Sequence, residues 1–169
     1  QVDVEESDEI VLDYGRYAWV KLNRGACDAE GRAMGHCGNV PSVREGDRIL
    51  SFRSKISDGK QKPHLTFILD RKGYLGEMKG RANEKPQEKY HPYIIDLLKQ
   101  DFIRGIRGGG YAPENNFELS DLDDDTREQL IQVKPALGQL ADLYGKDVDR
   151  SLVIDKLLSV LEDQYIYYS

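Results

Sequence analysis

Alternating apolar and polar positions in the middle of the chain predict a three-stranded antiparallel meander. Each predicted strand is bounded by turn-forming dipeptides, which favour tight hairpin connections. The three strands cover residues 48–56, 64–70 and 74–79, and the turns between them fall at Asp58-Gly59 and Lys72-Gly73. Pro63 is expected at the start of the second strand, where a missing ladder N–H is tolerated.

An earlier apolar run, residues 10–22, predicts one or two further strands interrupted at Gly15. The single tryptophan, Trp19, falls in this run and is expected in the core. Between this run and the meander, residues 28–34 can form a brief helix that ends at Gly35.

Helical spacing of apolar positions dominates the second half of the chain. Residues 93–104 predict a helix that Gly105 closes, and the chain is predicted to be helical from Asp121 onward. Acidic residues 123–125 suit a helix start, because negative charge there complements the helix dipole. Pro135 is expected to break this helix, and residues 148–165 predict a last one.

The order of strands first and helices later favours the α+β class. We therefore predict a small antiparallel β-meander packed against helices, with a helical C-terminal region. Residues 1–115 would form the α+β core, and residues 116–169 would form the helical C-terminal region packed on it. No apolar run approaches the roughly 20 residues of a membrane span, so a soluble intracellular protein is expected.

Charge is distributed unevenly along the chain, although the net charge is only −6. Residues 44–107 carry 15 Lys or Arg against 9 Asp or Glu, whereas the two flanks together are strongly acidic. A basic middle between acidic ends predicts a cationic face for a protein partner or a nucleic acid. An ordinary solvated sheet surface is the alternative. The sequence leaves the oligomeric state open.

Both cysteines lie in a glycine-rich stretch, residues 27–39, together with one of the three histidines. A cysteine hydrolase needs a thiolate, a histidine base and a polar group that orients the histidine. Cys37, His64 and either Asp70 or Asn83 supply these residue types. Against this hypothesis, Cys37 follows a predicted helix end, whose negative dipole would hinder thiolate formation.

Zinc is the second chemical possibility for the same stretch. Cys27, His36 and Cys37, with His64 as a possible fourth ligand, are zinc-binding residue types, but the paired Cys-x-x-Cys spacing typical of zinc sites is absent. Purely structural roles for the cysteines and for His36 are the remaining alternative, and they require no cofactor.

The loop after the third strand, Lys79-Gly80-Arg81-Ala82-Asn83-Glu84-Lys85-Pro86, combines three bases with a glycine and an amide. Such a loop can hold phosphate through its cations and backbone N–H groups. It matches no Walker loop or dinucleotide fingerprint. The alternative is a solvated loop in which Asn83 caps its own turn.

Several short motifs together resemble the PcfJ-like domain family of conjugative plasmids and bacteriophages. They are Met34-Gly35-His36-Cys37, Ile49-Leu50-Ser51-Phe52-Arg53, Leu65-Thr66-Phe67-Ile68-Leu69 and Glu77-Met78-Lys79-Gly80-Arg81-Ala82-Asn83. The resemblance covers about residues 34–86. Glu77 stands where the family has glutamine, and Gly38-Asn39 follow the cysteine where the family has a valine or another small residue.

The resemblance implies an accessory or structural protein of a phage or mobile element, located in the bacterial cytoplasm or associated with the virion, with no established reaction. It singles out His36, Cys37, Thr66, Gly80 and Asn83. We therefore predict a non-enzymatic module that binds protein or nucleic acid, with the cysteine hydrolase and the zinc module as alternatives. The predicted binding residues are His36, Thr66, Lys79, Gly80, Arg81, Asn83 and Lys85.

Overall fold

The computed structural model describes residues 2–3, 8–22, 46–138 and 158, and within them the α+β class is confirmed. Seven strands form one sheet, one α-helix lies between the last two strands and another follows the sheet, and short 3₁₀ turns lie in the connections. The strands are β1 (Val2–Asp3), β2 (Glu9–Asp13), β3 (Tyr17–Lys21), β4 (Arg48–Lys55), β5 (Lys60–Leu69), β6 (Tyr74–Lys79) and β7 (Gly105–Ile106). The helices are α1 (His91–Leu98) and α2 (Asp124–Val133), and the 3₁₀ turns are Arg81–Asn83, Glu88–Tyr90, Pro113–Asn115 and Leu119–Asp121.

Neighbouring strands of the sheet follow the order β2-β3-β4-β5-β6-β7, and β1 pairs with the start of β5. All pairs are antiparallel except β6 with β7, which is parallel. The predicted meander is confirmed as β4, β5 and β6. The earlier apolar run is confirmed as the hairpin of β2 and β3, which turns at Gly15 with a φ of +84°.

The predicted helix over residues 93–104 is shorter than expected. It ends at Leu98, and Gly105 begins the edge strand β7 instead of closing a helix. The backbone N–H of Arg104 donates to Gly73 O at 2.7 Å, and that of Arg107 donates to Leu75 O at 2.7 Å. Hydrogen bonds to β6 and to Gly73 just before it thus replace the helical hydrogen bonds that the apolar spacing predicted.

One face of the sheet carries the main hydrophobic core, with Trp19 at its centre. The Trp19 indole is fully buried against Phe52 and Phe67, and its Nε1 donates to Tyr93 O at 2.9 Å. Helix α1 covers this face with Ile94, Leu97 and Leu98, which belong to the same cluster. The expected core position of Trp19 is confirmed.

The opposite face of the sheet is also buried. It carries a smaller apolar cluster of Ala18, Val20, Leu22 and Ile49. Buried polar residues Ser51, Arg53 and Thr66 continue this face along β4 and β5. Near-continuous burial on both faces explains why β4 alternates only partly in sequence.

Helix α2 starts as the acidic run predicts, because the Asp123 carboxylate accepts the backbone N–H of Thr126 at 2.8 Å. The helix ends before Pro135, and Leu130 and Leu137 join the main core. Of the last predicted helix, only Leu158 lies within the described residues, and it is helical. The short helix over residues 28–34 lies outside them, and the division at residue 115 stays a prediction. No helix in the described ranges is long and apolar enough to cross a membrane.

Candidate functional site

His64 occupies a β-bulge, which directs its side chain toward the main core. In the ladder between β4 and β5, Phe52 pairs with Leu65 but Arg53 pairs with Pro63, so His64 is the extra residue. Pro63 has no N–H to donate, and a bulge accommodates that loss. Without the bulge, alternation would place His64 on the face opposite Leu65. Strand β5 starts at Lys60, earlier than predicted. Pro63 therefore lies inside the strand and not at its start.

Both ring nitrogens of His64 have hydrogen-bond partners. Nε2 lies 2.9 Å from Ser54 Oγ on β4, and Nδ1 lies 3.0 Å from the Tyr90 hydroxyl in the turn before α1. The rings of Tyr17 and Phe52 flank the imidazole at centroid distances of 5.9 and 6.4 Å. The imidazole is thus held in one orientation by hydroxyl groups and aromatic rings.

Burial and neighbouring cations keep the imidazole neutral. The pKa of His64 is lowered to about 4: desolvation is the largest cause, and the charges of Lys62, Lys89 and Arg81 contribute in the same direction. Desolvation disfavours the charged imidazolium, and like charges nearby act in the same direction. The charges of Lys62, Lys89 and Arg81 therefore act on His64 in the same direction as burial.

A small cleft opens beside His64. Its volume is about 60 Å³, which is space for about two water molecules or one small anionic group. The lining residues are His64, Gly80, Arg81, Glu84, Lys85, Gln87 and Tyr90. Among these lining residues, Arg81 and Lys85 carry positive charge and Glu84 carries the one negative charge, so the lining is positive overall.

The cations around the cleft are available to a partner. Lys62, Arg81 and Lys89 are exposed, and none of them is within 4 Å of a carboxylate in the part of the chain that the structure describes. Lys89 extends over the ring of Tyr90, with Nζ 5.2 Å from the ring centroid. Within the described residues, Arg81 thus lines a polar cleft that has Tyr90 in its wall, Lys62 and Lys89 act on His64 beside it, and none of the three cations has a carboxylate partner.

Lys79 and Lys85, which were predicted to bind phosphate, both contact residues 116–121. Lys79 is only 1 % exposed, and its Nζ donates to Oδ1 of Asn116. The Lys85 Nζ donates to Asn116 O at 3.0 Å and to both oxygens of Asp121, the shorter distance being 2.9 Å. Both lysines fasten the loop to residues 116–121. Burial removes Lys79 from the predicted phosphate contacts, whereas Lys85 also lines the cleft with a side chain that is 37 % exposed, so its phosphate contact stays a prediction.

The loop itself has an uncommon backbone at its centre. Ala82 and Asn83 have φ values of +55° and +58°, which non-glycine residues seldom adopt. The Gly80 N–H donates to Glu84 O at 2.8 Å and the Glu84 N–H donates to Arg81 O at 3.1 Å, and these bonds close the turn. Gly80 and Arg81 line the cleft as a result, whereas Asn83 occupies the turn.

Asp70 does not orient His64. Its carboxylate accepts the backbone N–H groups of Lys72 and Tyr74 at 2.9 Å, which is the role of a turn residue. It follows His64 by six strand positions, a separation of roughly 20 Å at about 3.3 Å per residue. The catalytic assignment of Asp70 is therefore corrected.

Thr66, another predicted binding residue, is buried on the face of the sheet opposite the main core and opposite His64. It pairs there with Ser51 on β4 and Lys79 on β6.

Cys27, His36 and Cys37 lie outside the described residues, so the thiol and zinc hypotheses stay predictions. Among the residues that are described, no group of three or more His, Cys, Asp and Glu side chains is arranged to hold a metal ion.

Several residues of the site were not recognised in the sequence. Lys62 could have been recognised, because it lies two positions before His64 on the same strand. Ser54 also carried a signal, since it opposes Lys62 in the ladder. Tyr90, Lys89 and Asn116 carried none, because their positions depend on how the loop after β6 folds back.

Comparison with known proteins adds no relative: no family model, no curated protein and no solved structure matches this chain.

Proposed function

We propose that this chain is a non-enzymatic module that binds nucleic acid through the cations around the His64 cleft. The observation that carries the proposal is the convergence of Lys62, Arg81 and Lys89 on His64 without ion-pair partners among the described residues. Phosphodiester groups are the anions that such a spread of cations suits, because each cation can neutralise one phosphate.

The properties of His64 support binding over catalysis. A histidine with a pKa of about 4 is neutral and a weak base near neutral pH, and hydroxyl groups engage both of its nitrogens. The carboxylate that a catalytic histidine uses for orientation is replaced by Ser54 and Tyr90. The described part of the site therefore holds polar groups in place and offers no activated base.

Other cations of the basic middle are less suited to this role. Arg107 lies 3.9 Å from Asp70, Lys55 is paired with Asp13 at 2.8 Å, and the Arg104 guanidinium stacks over Tyr74. Their charges are already partly compensated. The resemblance to the PcfJ-like family supports placing the module in a phage or mobile element, as an accessory or structural domain.

The test is the salt dependence of binding to a labelled oligonucleotide, as duplex and as single strand, followed by fluorescence anisotropy. Three phosphate contacts predict a loss of affinity of about 40-fold between about 50 and 200 mM salt for duplex. The variant Lys62→Gln/Arg81→Gln/Lys89→Gln should bind weakly, and the slope against log salt should fall by about 1 for each contact removed.

A charge-matched variant separates this site from general attraction. Arg71→Gln/Lys72→Gln/Lys99→Gln removes three exposed cations away from the cleft, and it should retain most of the affinity and the slope. Equal losses in both variants, absence of binding at low salt, or preferential binding of polyglutamate would each overturn the proposal.

A further inference from the structure

Lys79 and Asn116 form a buried pair that the proposed function does not use. Lys79 is 1 % exposed and Asn116 is 3 % exposed, and the side chains are in direct contact through Nζ and Oδ1. A lysine is seldom fully buried unless it is paired with an acid. Here no carboxylate lies within 4 Å of Nζ among the residues described.

The carboxamide of Asn116 is held in one orientation. Its Oδ1 accepts the backbone N–H of Met78 at 3.0 Å in addition to the Lys79 amine, and its Nδ2 donates to Gly109 O at 2.9 Å. The backbone next to Asn116 is also bonded to the backbone next to Lys79, since the Phe117 N–H donates to Met78 O at 2.9 Å. A backbone N–H aimed at a carbonyl oxygen stabilises the negative charge that develops there during attack.

The amine of Lys79 has the environment of a nucleophile. Desolvation lowers its pKa, and the charges of Glu77 and Glu114 oppose that shift, Glu77 more strongly. Loss of the proton is what makes a lysine nucleophilic. Burial of both partners also excludes water, which would otherwise compete with the amine.

We propose that Lys79 and Asn116 join in an intramolecular isopeptide bond. Nζ attacks Cγ of Asn116, the Nζ–Cγ bond forms, and the Cγ–Nδ2 bond breaks. The lysine ammonium loses two protons, Glu77 carries them in turn to the leaving nitrogen, and that nitrogen departs as ammonium. No oxidant or cofactor takes part.

Glu77 lies more than 4 Å from Lys79 Nζ, so its side chain must move toward the amine before it takes a proton. It stands two residues before Lys79 on β6, and its Oε1 accepts the backbone N–H of Tyr111 at 2.6 Å. Gly110 leaves the room for this, because a Cβ there would lie 2.3 Å from Glu77 Cγ. Glu114 is the matched control, since its charge also acts on Lys79 but more weakly.

The test is peptide mapping of the folded, full-length chain by tandem mass spectrometry. We expect a branched tryptic peptide that joins Lys79 to Asn116, resists cleavage after Lys79, and is lighter by about 17 Da, the mass of ammonia. Gln1 can lose the same mass by cyclising, so the experiment uses Gln1→Ser and relies on the branched fragment ions.

Variants assign the roles. Lys79→Arg and Asn116→Ala should give only linear peptides, and Glu77→Gln should lose most of the branched product while its circular dichroism spectrum stays that of the parent. Glu114→Gln should retain the bond. Linear peptides alone from the folded Gln1→Ser chain, after prolonged incubation at neutral and mildly alkaline pH, would show an ordinary hydrogen bond and overturn the proposal.

Discussion

The Tyr90 hydroxyl and Nδ1 of His64 lie 3.0 Å apart, and their hydrogen bond links the turn before α1 to the bulge in β5. This contact closes one wall of the cleft. It also places Lys89, the neighbour of Tyr90, where its charge reaches the imidazole. A single side-chain contact thus joins the folding of the loop after β6 to the electrostatics of the site.

Acid should destabilise the protein through His64. Its folded pKa of about 4 lies below the ordinary 6.5, so the unfolded state binds the proton more tightly. The stabilising contribution is complete above pH 6.5 and is lost as the pH falls toward 4. For a half-buried group we expect a loss of at most about 3 kcal/mol, measured by urea unfolding across this range.

His64→Gln should flatten this dependence, and His91→Gln is the control that should keep it. The lowered pKa values of Asp13 and Asp123 contribute only at more acidic pH, because their ordinary value is 3.8. An unchanged slope in His64→Gln between pH 6.5 and 4 would contradict the assignment.

Substitutions of Arg81 and Lys85 should have different effects, the first on oligonucleotide binding and the second on the free energy of unfolding. Arg81→Gln removes an exposed cation at the cleft, so it should weaken oligonucleotide binding while unfolding stays within about 0.5 kcal/mol of the parent. Lys85→Met breaks the contacts to Asp121 and Asn116 O, so it should lower the free energy of unfolding by about 1 kcal/mol and leave the salt slope unchanged. The reverse pattern would show that Lys85 contacts the ligand.

Asn116 should matter far more than the asparagine beside it. Asn116→Ala leaves the Lys79 amine, the Met78 N–H and the Gly109 carbonyl without their partner and also removes the proposed covalent link, so it should cost at least about 2–4 kcal/mol. Asn115→Ala, in the preceding 3₁₀ turn, should cost less than about 1 kcal/mol. Thermal unfolding of both variants checks the difference, and equal costs would argue against a specific role for Asn116.

Trp19 should act as the central anchor of the core. Trp19→Phe leaves a cavity beside Phe67 and an unpaired Tyr93 carbonyl, so we expect a loss of about 2–3 kcal/mol in chemical denaturation. Tyr111→Ala is the control, because Tyr111 is 71 % exposed. A Trp19→Phe effect no larger than that of the control would refute the central position of the indole.

Local patterns were sufficient for most of the sheet. The partial alternation in β4 and the turn dipeptides Asp58-Gly59 and Lys72-Gly73 follow from strand and hairpin geometry, so the meander could be predicted. Strand β7 could not, because two residues, Gly105 and Ile106, carry no periodicity and form a strand only by pairing with β6. Such pairing is a tertiary effect that outweighs the helical spacing before it.

The site was harder to predict because it depends on contacts between distant residues. The sequence shows three bases in one loop, but the inward direction of Lys79 is set by Asn116, which lies 37 residues away. The bulge at His64 likewise depends on the register between two strands. Charge in a loop is visible in a sequence, whereas which charges face solvent is decided by packing.

The most direct test of the proposed binding site is an NMR titration of the His64 ring with and without a short oligonucleotide. A phosphate bound by Lys62, Arg81 and Lys89 offsets their positive potential, so the pKa of His64 should rise from about 4 in the complex. His91 serves as the internal reference. An oligonucleotide that binds while the His64 pKa stays unchanged would contradict the account.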